Sequence, residues 1–579
     1  MTSLAFKTHA HTGEAGYERT FLDSLAPALK NMAKYNIKVA VNAGASDTKG
    51  CFEAVVKMAK EQNLKLKVAW IEGDDVLDVI KTALHHEGKS KWQVMREKKL
   101  TTGPSKGLSI YDAWMEGEAV NEEVKAYLPS QDFSNLCTDQ KLRDWELKDD
   151  IIAAQAYLGG LGIAKAFEEG ADIVICGRVS DASPVIGAAA WWHSWSRDNH
   201  NNNLEQLANA FIAGHLIECS TYVCGGNFSG FKTLSPADCM DIGYPIAEIS
   251  KSGQVIITKQ KGTGGMVSVD TCKAQLLYEI QGPWYFNSDV TAVLDEIEFE
   301  QLGTNRVAVK GVRALPPPPT TKVGITAQGG FQAEVHWFLV GLNINEKAKM
   351  MEAQIRHALG DVSRFHVLKF TLNGTAGEDA TDQNSATGDF RLFAQARKAE
   401  SISPQNFLKP IIDLIMASYP GGTFHLDFRQ GIPKPVQEYF VTLLPQSDVQ
   451  HVVHMHDGQM LSVAPPSVTR TFPVLQPSQD VSFVAARNFG PTVRGPLGWL
   501  VHGRSGDKGS NANVGFWVRY RDEYDWLRPL LSTEKMKELL ATEYSGKRIV
   551  SSSLLMKMLA DVSGSIRTSE HVGCPFRSS

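Results

Sequence analysis

QAYLGGLGIAKAFEEGADIVICGRVSDAS, residues 155–183, decides how the rest of the chain is read. From Ile151 to Glu169 the apolar residues have the spacing of an amphipathic helix. Ala171 to Cys176 (ADIVIC) is then apolar without alternation, the pattern of a strand buried on both faces. It stops at Gly177-Arg178-Val179-Ser180-Asp181. A helix followed by such a strand points to a parallel sheet covered by helices.

Upstream the same grain repeats. Ile37 to Val41 (IKVAV) ends in Asn42-Ala43-Gly44-Ala45 and is followed by a helical stretch from Gly50 to Gln62. Lys65 to Ile71 (KLKVAWI) ends in Glu72-Gly73-Asp74-Asp75, before a helix from Val76 to His86. The expected fold is α/β, a large domain with a mostly parallel sheet over roughly the first 230 residues. Strand signals at Gln254–Ile257, Arg306–Lys310 and Glu334–Gly341 alternate more cleanly, as in antiparallel or mixed sheets. Pro316–Pro319 reads as a rigid spacer. Residues 462–479, with four prolines, read as a linker between a domain at 1–461 and one at 480–579. The latter is expected to be a small α+β domain, with strands near Trp499 and at Val514–Tyr520 and a helix at Thr533–Tyr544.

Composition excludes several classes. The 579 residues are 43% hydrophobic with a net charge of −5, which excludes a disordered chain and leaves no basic footprint for nucleic acid. No apolar run reaches the length of a membrane span. Eight cysteines without a repeated short spacing fit neither a disulfide scaffold nor a zinc ribbon. The start, MTSLAFKTHAHTGEAGYERT, lacks an apolar leader core, and Arg577-Ser578-Ser579 is no peroxisomal tripeptide, so a cytoplasmic location is expected.

Ligands of open parallel sheets sit beyond the carboxyl ends of the strands. Asn42, Gly44 and Gly177 there are small or polar enough to let a ligand reach the backbone. Glu72, Asp74 and Asp75 supply carboxylates for base work, although Asp74 or Asp75 equally suits the N-cap of the next helix. Arg178 suits a carboxylate or phosphate, with Asp181 beside it. Asn209–Val223 reads as a helix stopped by Gly225-Gly226. Its His215, Glu218 and Cys219 share one face, as a metal triad, a proton-transfer pair or an ordinary helix face. Gly262-Thr263-Gly264-Gly265 precedes a helix starting near Asp270 and could offer N–H groups to an anion, without being a Walker or dinucleotide motif. His454 and His456 read as a solvated strand face before a hairpin at Asp457-Gly458. The densest signal is His502-Gly503-Arg504-Ser505-Gly506-Asp507-Lys508-Gly509-Ser510-Asn511-Ala512-Asn513-Val514-Gly515. Its glycines allow positive φ, so an anion nest flanked by Arg504 and Lys508 is expected, with Ser505, Asp507, Asn511 and Asn513 in reach.

Taken together, VNAGASDTKG, KVAWIEGDDV, the 155–183 stretch, AGHLIECSTYVCGGNF, GYPIAEI, TKQKGTGGMVSV and HGRSGDKGSNANVG resemble the acyclic terpene utilisation (AtuA-like) family. The resemblance implies a large α/β domain followed by a small ferredoxin-like domain, and a setting in the breakdown of branched acyl chains as coenzyme A thioesters. Two stretches depart from the family pattern. The family's first strand and glycine-rich loop lie upstream of what corresponds here to residue 1, so a first βα unit is expected to be missing before THAHTGEAGYERTF, and the residues after Gly546-Lys547-Arg548 do not continue the family's strand and helix.

The expected function is an enzyme acting on a branched or carboxylated acyl-CoA by proton abstraction, as a lyase or hydratase. Glu72, Asp74 or Asp75 is the base or metal anchor, Arg178 holds a carboxylate or the thioester oxygen, and Asp181, His215 and Glu218 complete the catalytic set. The Gly262–Gly265 loop, Gly225, Gly226, Arg504 and Lys508 hold phosphate and substrate. Coenzyme A enters as part of the substrate; a divalent metal and a homo-oligomer are compatible with the sequence, and neither nucleic acid nor membrane is an expected partner. The alternatives are a non-catalytic subunit that binds an acyl-CoA enzyme and, third, a metal-dependent hydrolase.

Overall fold

The computed structural model describes residues 16–85, 133–197, 203–280, 282–473, 476, 493–508, 511–544, 546, 549–554 and 568–574. The chain divides into two compact units, one of Met1–Arg143, Ala153–Ile325 and Val441–Ser579, the other of Asp144–Ile152 and Thr326–Phe440.

In the first unit, β1 (Val39–Val41), β2 (Val68–Glu72) and β3 (Ile173–Ile175) pair in parallel with β3 between the others. Val39 and Val68 both stand in register with Ile173. β4 (Val452–His454) joins β2 antiparallel, and β5 (Met460–Ser462) folds back on it through Asp457-Gly458, where Gly458 has φ +91°. All three residues of β3 are fully buried, because helices cover both faces of the sheet. Cys51 and Val55 of α1 (Thr48–Glu61) pack with Ile173 and Ile175 on one face. Ile163 and Phe167 of α3 (Leu161–Glu168) pack with Val174 and Cys176 on the other. Between α1 and α3 in sequence lies α2 (Leu77–His85).

Two expectations are corrected here. The stretch from Ile151 is not one helix: Ile151–Ala156 is a strand with Ile151, Ala153, Ala154 and Ala156 buried, and α3 begins only after Gly159-Gly160. Gly160 marks the break, since a Cβ there would lie 2.3 Å from the Ser183 carbonyl oxygen, and its N–H donates to Asp289 Oδ2 at 2.5 Å. Nor is the sheet content mostly parallel. Pro245–Ile249, Val255–Lys259, Arg306–Lys310 and Glu298–Gly303 form an antiparallel sheet, as do Trp284–Phe286, Thr291–Val293 and Arg313–Leu315. Within them, Ile249 to Val255, Phe286 to Thr291 and Gly303 to Arg306 are short turns, which return the chain beside itself in the opposite direction.

Two buried helices carry the site residues. α4 (Leu204–Glu218) is apolar almost all round, with Phe211, Ile212 and Leu216 at or below 2% exposure. α5 (Val269–Leu276) starts at Ser268, whose hydroxyl forms a capping box with Thr271. The proline-rich stretch 462–479 lies against the same unit wherever it is described. The Arg470 N–H donates to the Pro317 carbonyl, Phe472 packs on Trp284, and the Gln476 amide brackets the backbone N–H and carbonyl of Trp284.

At the C-terminal end, β6 (His502–Lys508) and β7 (Asn511–Val518) pair antiparallel, and Thr568–Cys574 and Val550–Leu554 extend the sheet. Helices Arg521–Leu530 and Thr533–Leu540 follow β7. The order among the described residues is strand, strand, helix, helix, strand, strand, in place of the β-α-β-β-α-β order of a ferredoxin-like domain. Leu497–Trp499 is a 3₁₀ turn, and the strand expected near Trp499 begins at His502.

The second unit is an antiparallel sheet in which Phe331–Val340 pair with Thr387–Ala396, Val367–Asn373 flank the latter, and helix Ile344–Leu359 contributes Met351, Ile355 and Leu359 to the core. Val335, Trp337 and Leu339 alternate inward, as a sheet with one covered face requires.

Candidate functional site

The carboxyl ends of the three parallel strands meet at Asp74, which is 7% exposed. Its Oδ2 accepts the Arg178 backbone N–H at 2.7 Å and the Gln155 side-chain amide at 3.3 Å. Burial outweighs these bonds and pushes its carboxyl up to about 6. Gly177 makes the approach feasible, because a Cβ there would sit 2.4 Å from Asp74 Oδ2. Gly44 likewise lies against the Cys176 carbonyl, which accepts its N–H at 3.0 Å. Asn42 accepts the Ala45 N–H through its backbone carbonyl in the same turn. Gly44 and Gly177 are therefore packed against protein atoms at the strand ends.

From this anchor the loop after β3 leads into a cluster of acids. The Arg178 guanidinium bonds the Val179 carbonyl and pairs with Asp181. It also lies 4.5 Å from the ring of Tyr157, against which Lys322 stands at 4.1 Å. Asp181, Glu218 at the last position of α4, and Glu279 just beyond α5 bring one carboxylate oxygen each within 4.8 Å of one another. Glu279 holds φ +68°, a left-handed conformation unfavourable for a side chain with a Cβ, and the fold retains it there. Three carboxylates so close repel one another, and the Arg178 guanidinium on Asp181 offsets part of that repulsion. As an all-oxygen set they suit a hard divalent cation such as Mg²⁺, Mn²⁺ or Ca²⁺. Glu218 also accepts the Cys219 thiol at 3.1 Å.

Beside the cluster, His215 is 1% exposed and both of its ring nitrogens are engaged. Nε2 lies 3.0 Å from the Gln275 carbonyl and 3.2 Å from that of Leu276, so it carries the proton and donates. Nδ1 is then the acceptor for the Tyr285 hydroxyl at 3.0 Å. Burial raises the Tyr285 phenol well above its ordinary range, and Glu279, Glu218 and Asp181 raise it further. The expected face of His215, Glu218 and Cys219 is thus divided. His215 turns to Tyr285, while Glu218 turns to Asp181 and Glu279.

Several expected site residues stand elsewhere. Asp75 accepts the Leu77 N–H and starts α2, as an N-cap does. Glu72 reaches His454 across the β2–β4 pair, 2.6 Å from its Nε2, and the His454 ring stacks on Trp70 at 3.9 Å. Gly225, at φ +108°, and Gly226 close the turn after Ser220–Cys224 through bonds to Tyr222 and Thr221. The Gly262–Gly265 loop does not open directly onto a helix N-terminus, because Ser268 already caps α5. Lys259 Nζ fills that loop from within, bonding Thr263 Oγ1 at 2.5 Å and the Thr263 carbonyl at 3.1 Å. Gly264 and Gly265 pack on the backbones of Asp238 and Ile242.

Over its described residues the stretch from His502 is a hairpin, and Gly503 and Gly506 form no anion nest there. Gly503 and Gly506 lie in β6, paired with Phe516 and Asn513, and neither has positive φ. Asp507, Lys508 and Asn511 belong to the strand backbone, Ser505 is exposed, and Gly509 lies outside the described residues. The glycines serve close packing: a Cβ on Gly506 would lie 2.1 Å from the Tyr278 ring, and one on Gly515 2.8 Å from Leu277. Asn513 donates to the Leu277 carbonyl at 3.1 Å. Arg504 turns inward, 4% exposed, against Tyr222 and Tyr278. Gly506→Ala should therefore lower stability by about 1–3 kcal/mol, the usual cost of overpacking. Chemical denaturation of the purified chain measures it, and an unchanged midpoint would contradict the packing role.

Among the described residues no helix is long and apolar enough to cross a membrane. No curated protein and no solved structure matches the chain. The model of the acyclic terpene utilisation family protein AtuA matches residues 1–104 and 87–455. Those matches take in the strand ends, the Arg178 loop, all three clustered carboxylates and the His215–Tyr285 pair, and the chain belongs to this family.

Proposed function

We propose that this chain is an enzyme acting on branched or carboxylated acyl-CoA thioesters by proton abstraction, as a lyase or hydratase. The observation that carries the reading is the meeting of Asp181, Glu218 and Glu279, from three separate segments, beside the Arg178 guanidinium. Carboxylates placed beside a guanidinium are groups that can take and return a proton in general acid–base chemistry. Glu218 and Glu279 move the proton. Asp181 holds Arg178, whose fork stabilises negative charge developing on the thioester oxygen. Tyr285, oriented by His215, closes the apolar side of the cluster. Asp74 acts through Arg178 by holding its backbone N–H and is a positioning residue. Coenzyme A is carried by the substrate, and the cytoplasm is the proposed location.

The test is turnover of a panel of branched and carboxylated acyl-CoA thioesters by the purified chain. Loss of turnover in Arg178→Ala, with the melting temperature kept, supports the assignment. Wild-type chain inactive on the whole panel contradicts it. The all-oxygen cluster favours a second reading, a metal-dependent hydrolase. In that case Mg²⁺ or Mn²⁺ would raise the melting temperature of wild type but not of Asp181→Asn, and products would be the free acid and free coenzyme A.

A further inference from the structure

Among the described residues, Arg504 is a buried cation with few hydrogen-bond partners. It is 4% exposed, and among the described residues its Nε has no hydrogen-bond partner and its Nη1 reaches only the Asn227 carbonyl, at 3.5 Å. No carboxylate among the described residues forms an ion pair with it. What lies against the guanidinium is aromatic: the rings of Tyr222 at 4.5 Å and Tyr278 at 4.4 Å. Ring faces stabilise the charge, but they accept none of the in-plane N–H bonds. A buried charge kept without an anion is expensive, and the cost falls when a ligand supplies one.

We infer that Arg504 is the anchor for a carboxylate of the substrate, not for a phosphate. This deepens the proposed function by fixing the substrate class as carboxylated acyl thioesters, and it rests on that reading. Three features favour the carboxylate. A carboxylate is planar and meets a guanidinium edge to edge, so one arginine in an aromatic setting suffices. A phosphate presents further oxygens out of that plane, which the strand conformation of Gly503 and Gly506 does not supply with a nest of N–H groups. Tyr278 directly precedes Glu279 of the acid cluster, a neighbourhood that tolerates one negative charge better than two.

Calorimetric titration of the full chain with glutarate, with neutral glutaramide and with inorganic phosphate tests the assignment. Glutarate should bind at least tenfold more tightly than either of the others, and Arg504→Lys, which keeps the charge and loses the fork, should weaken glutarate by at least tenfold. Phosphate binding as tightly as glutarate, or glutarate binding unaltered by Arg504→Lys, would overturn the inference. If Arg504→Lys does not fold, the wild-type comparison decides: equal affinity for glutarate and glutaramide, or no glutarate binding at ten millimolar, defeats it. The two proposals fail separately. Thioester turnover without Arg504-dependent glutarate binding sinks only the carboxylate anchor, and Arg504-dependent glutarate binding without turnover sinks only the proton-abstraction reading.

Discussion

Glu279→Gln is expected to lower thioester turnover by about 10²–10⁴-fold, the range for loss of a positioned acid or base, while leaving the melting temperature unchanged or higher. The two effects point in opposite directions for a physical reason. Glu279 stands with Asp181 and Glu218 within 4.8 Å, so removing its charge relieves repulsion in the folded state. Its left-handed backbone, φ +68°, is strain held at the same point. A purely structural Glu279 would behave otherwise: turnover would persist and stability would fall. Steady-state kinetics beside a thermal melt separates the two.

Asp74→Asn is expected to stabilise the chain by about 3 kcal/mol at pH 7 and to change turnover far less than Glu279→Gln does. The Asp74 carboxyl titrates at about 6 in the fold against an ordinary 3.8, and each tenfold step is worth about 1.4 kcal/mol. The sign follows from proton uptake. Between about pH 4 and pH 6 the folded state holds the Asp74 proton and the unfolded chain has lost it, so stability declines as pH rises through that window. Above about pH 6 the fold carries a buried carboxylate and the full penalty. Below about pH 4 both states are protonated and the penalty vanishes. An asparagine can still accept the Arg178 N–H, so the loop stays in place. Denaturant melts of wild type and Asp74→Asn at pH 4 and pH 7 check this. A variant less stable than wild type at pH 7 would show that the carboxylate itself is needed, and Asp74 would then belong among the reacting groups.

Much of the site was legible where local pattern and chemistry coincide. The apolar ADIVIC run could only be an inner strand, and Arg178 immediately after it is costly unless it serves some partner; Asp181 proves to be one. Glu218 was legible from its spacing of three residues after His215 on one helical face. Glu279 was not. It sits in Tyr278-Glu279-Ile280 with no motif around it, and only the left-handed turn after α5 brings it to the other two acids. A carboxylate directly after a buried helix was the only available signal. Tyr285 was missed for a similar reason, being one aromatic in a short strand, Trp284–Phe286.

Two misreadings came from treating composition as geometry. Ile151–Glu169 has enough alanine and apolar residues to satisfy a helical period, yet its first six residues are a strand, set off from the helix by the Gly159-Gly160 break. The glycines and cations after His502 suggested a loop that grips an anion, but Gly506 and Gly515 are small because the hairpin is pressed onto Leu277 and Tyr278. Close approach of backbone to a protein side chain and close approach to a ligand demand the same residue.

If the acid cluster removes a proton from a carbon next to a thioester carbonyl, that carbon exchanges its hydrogen with solvent. Incubating the purified chain with a carboxylated, branched acyl-CoA in D₂O, and following deuterium at that carbon by mass spectrometry, tests it most directly. Exchange in wild type that is lost in Glu279→Gln and retained in Asp74→Asn is the expected result. Exchange that persists in Glu279→Gln, or that never occurs in wild type with any thioester it binds, would contradict it.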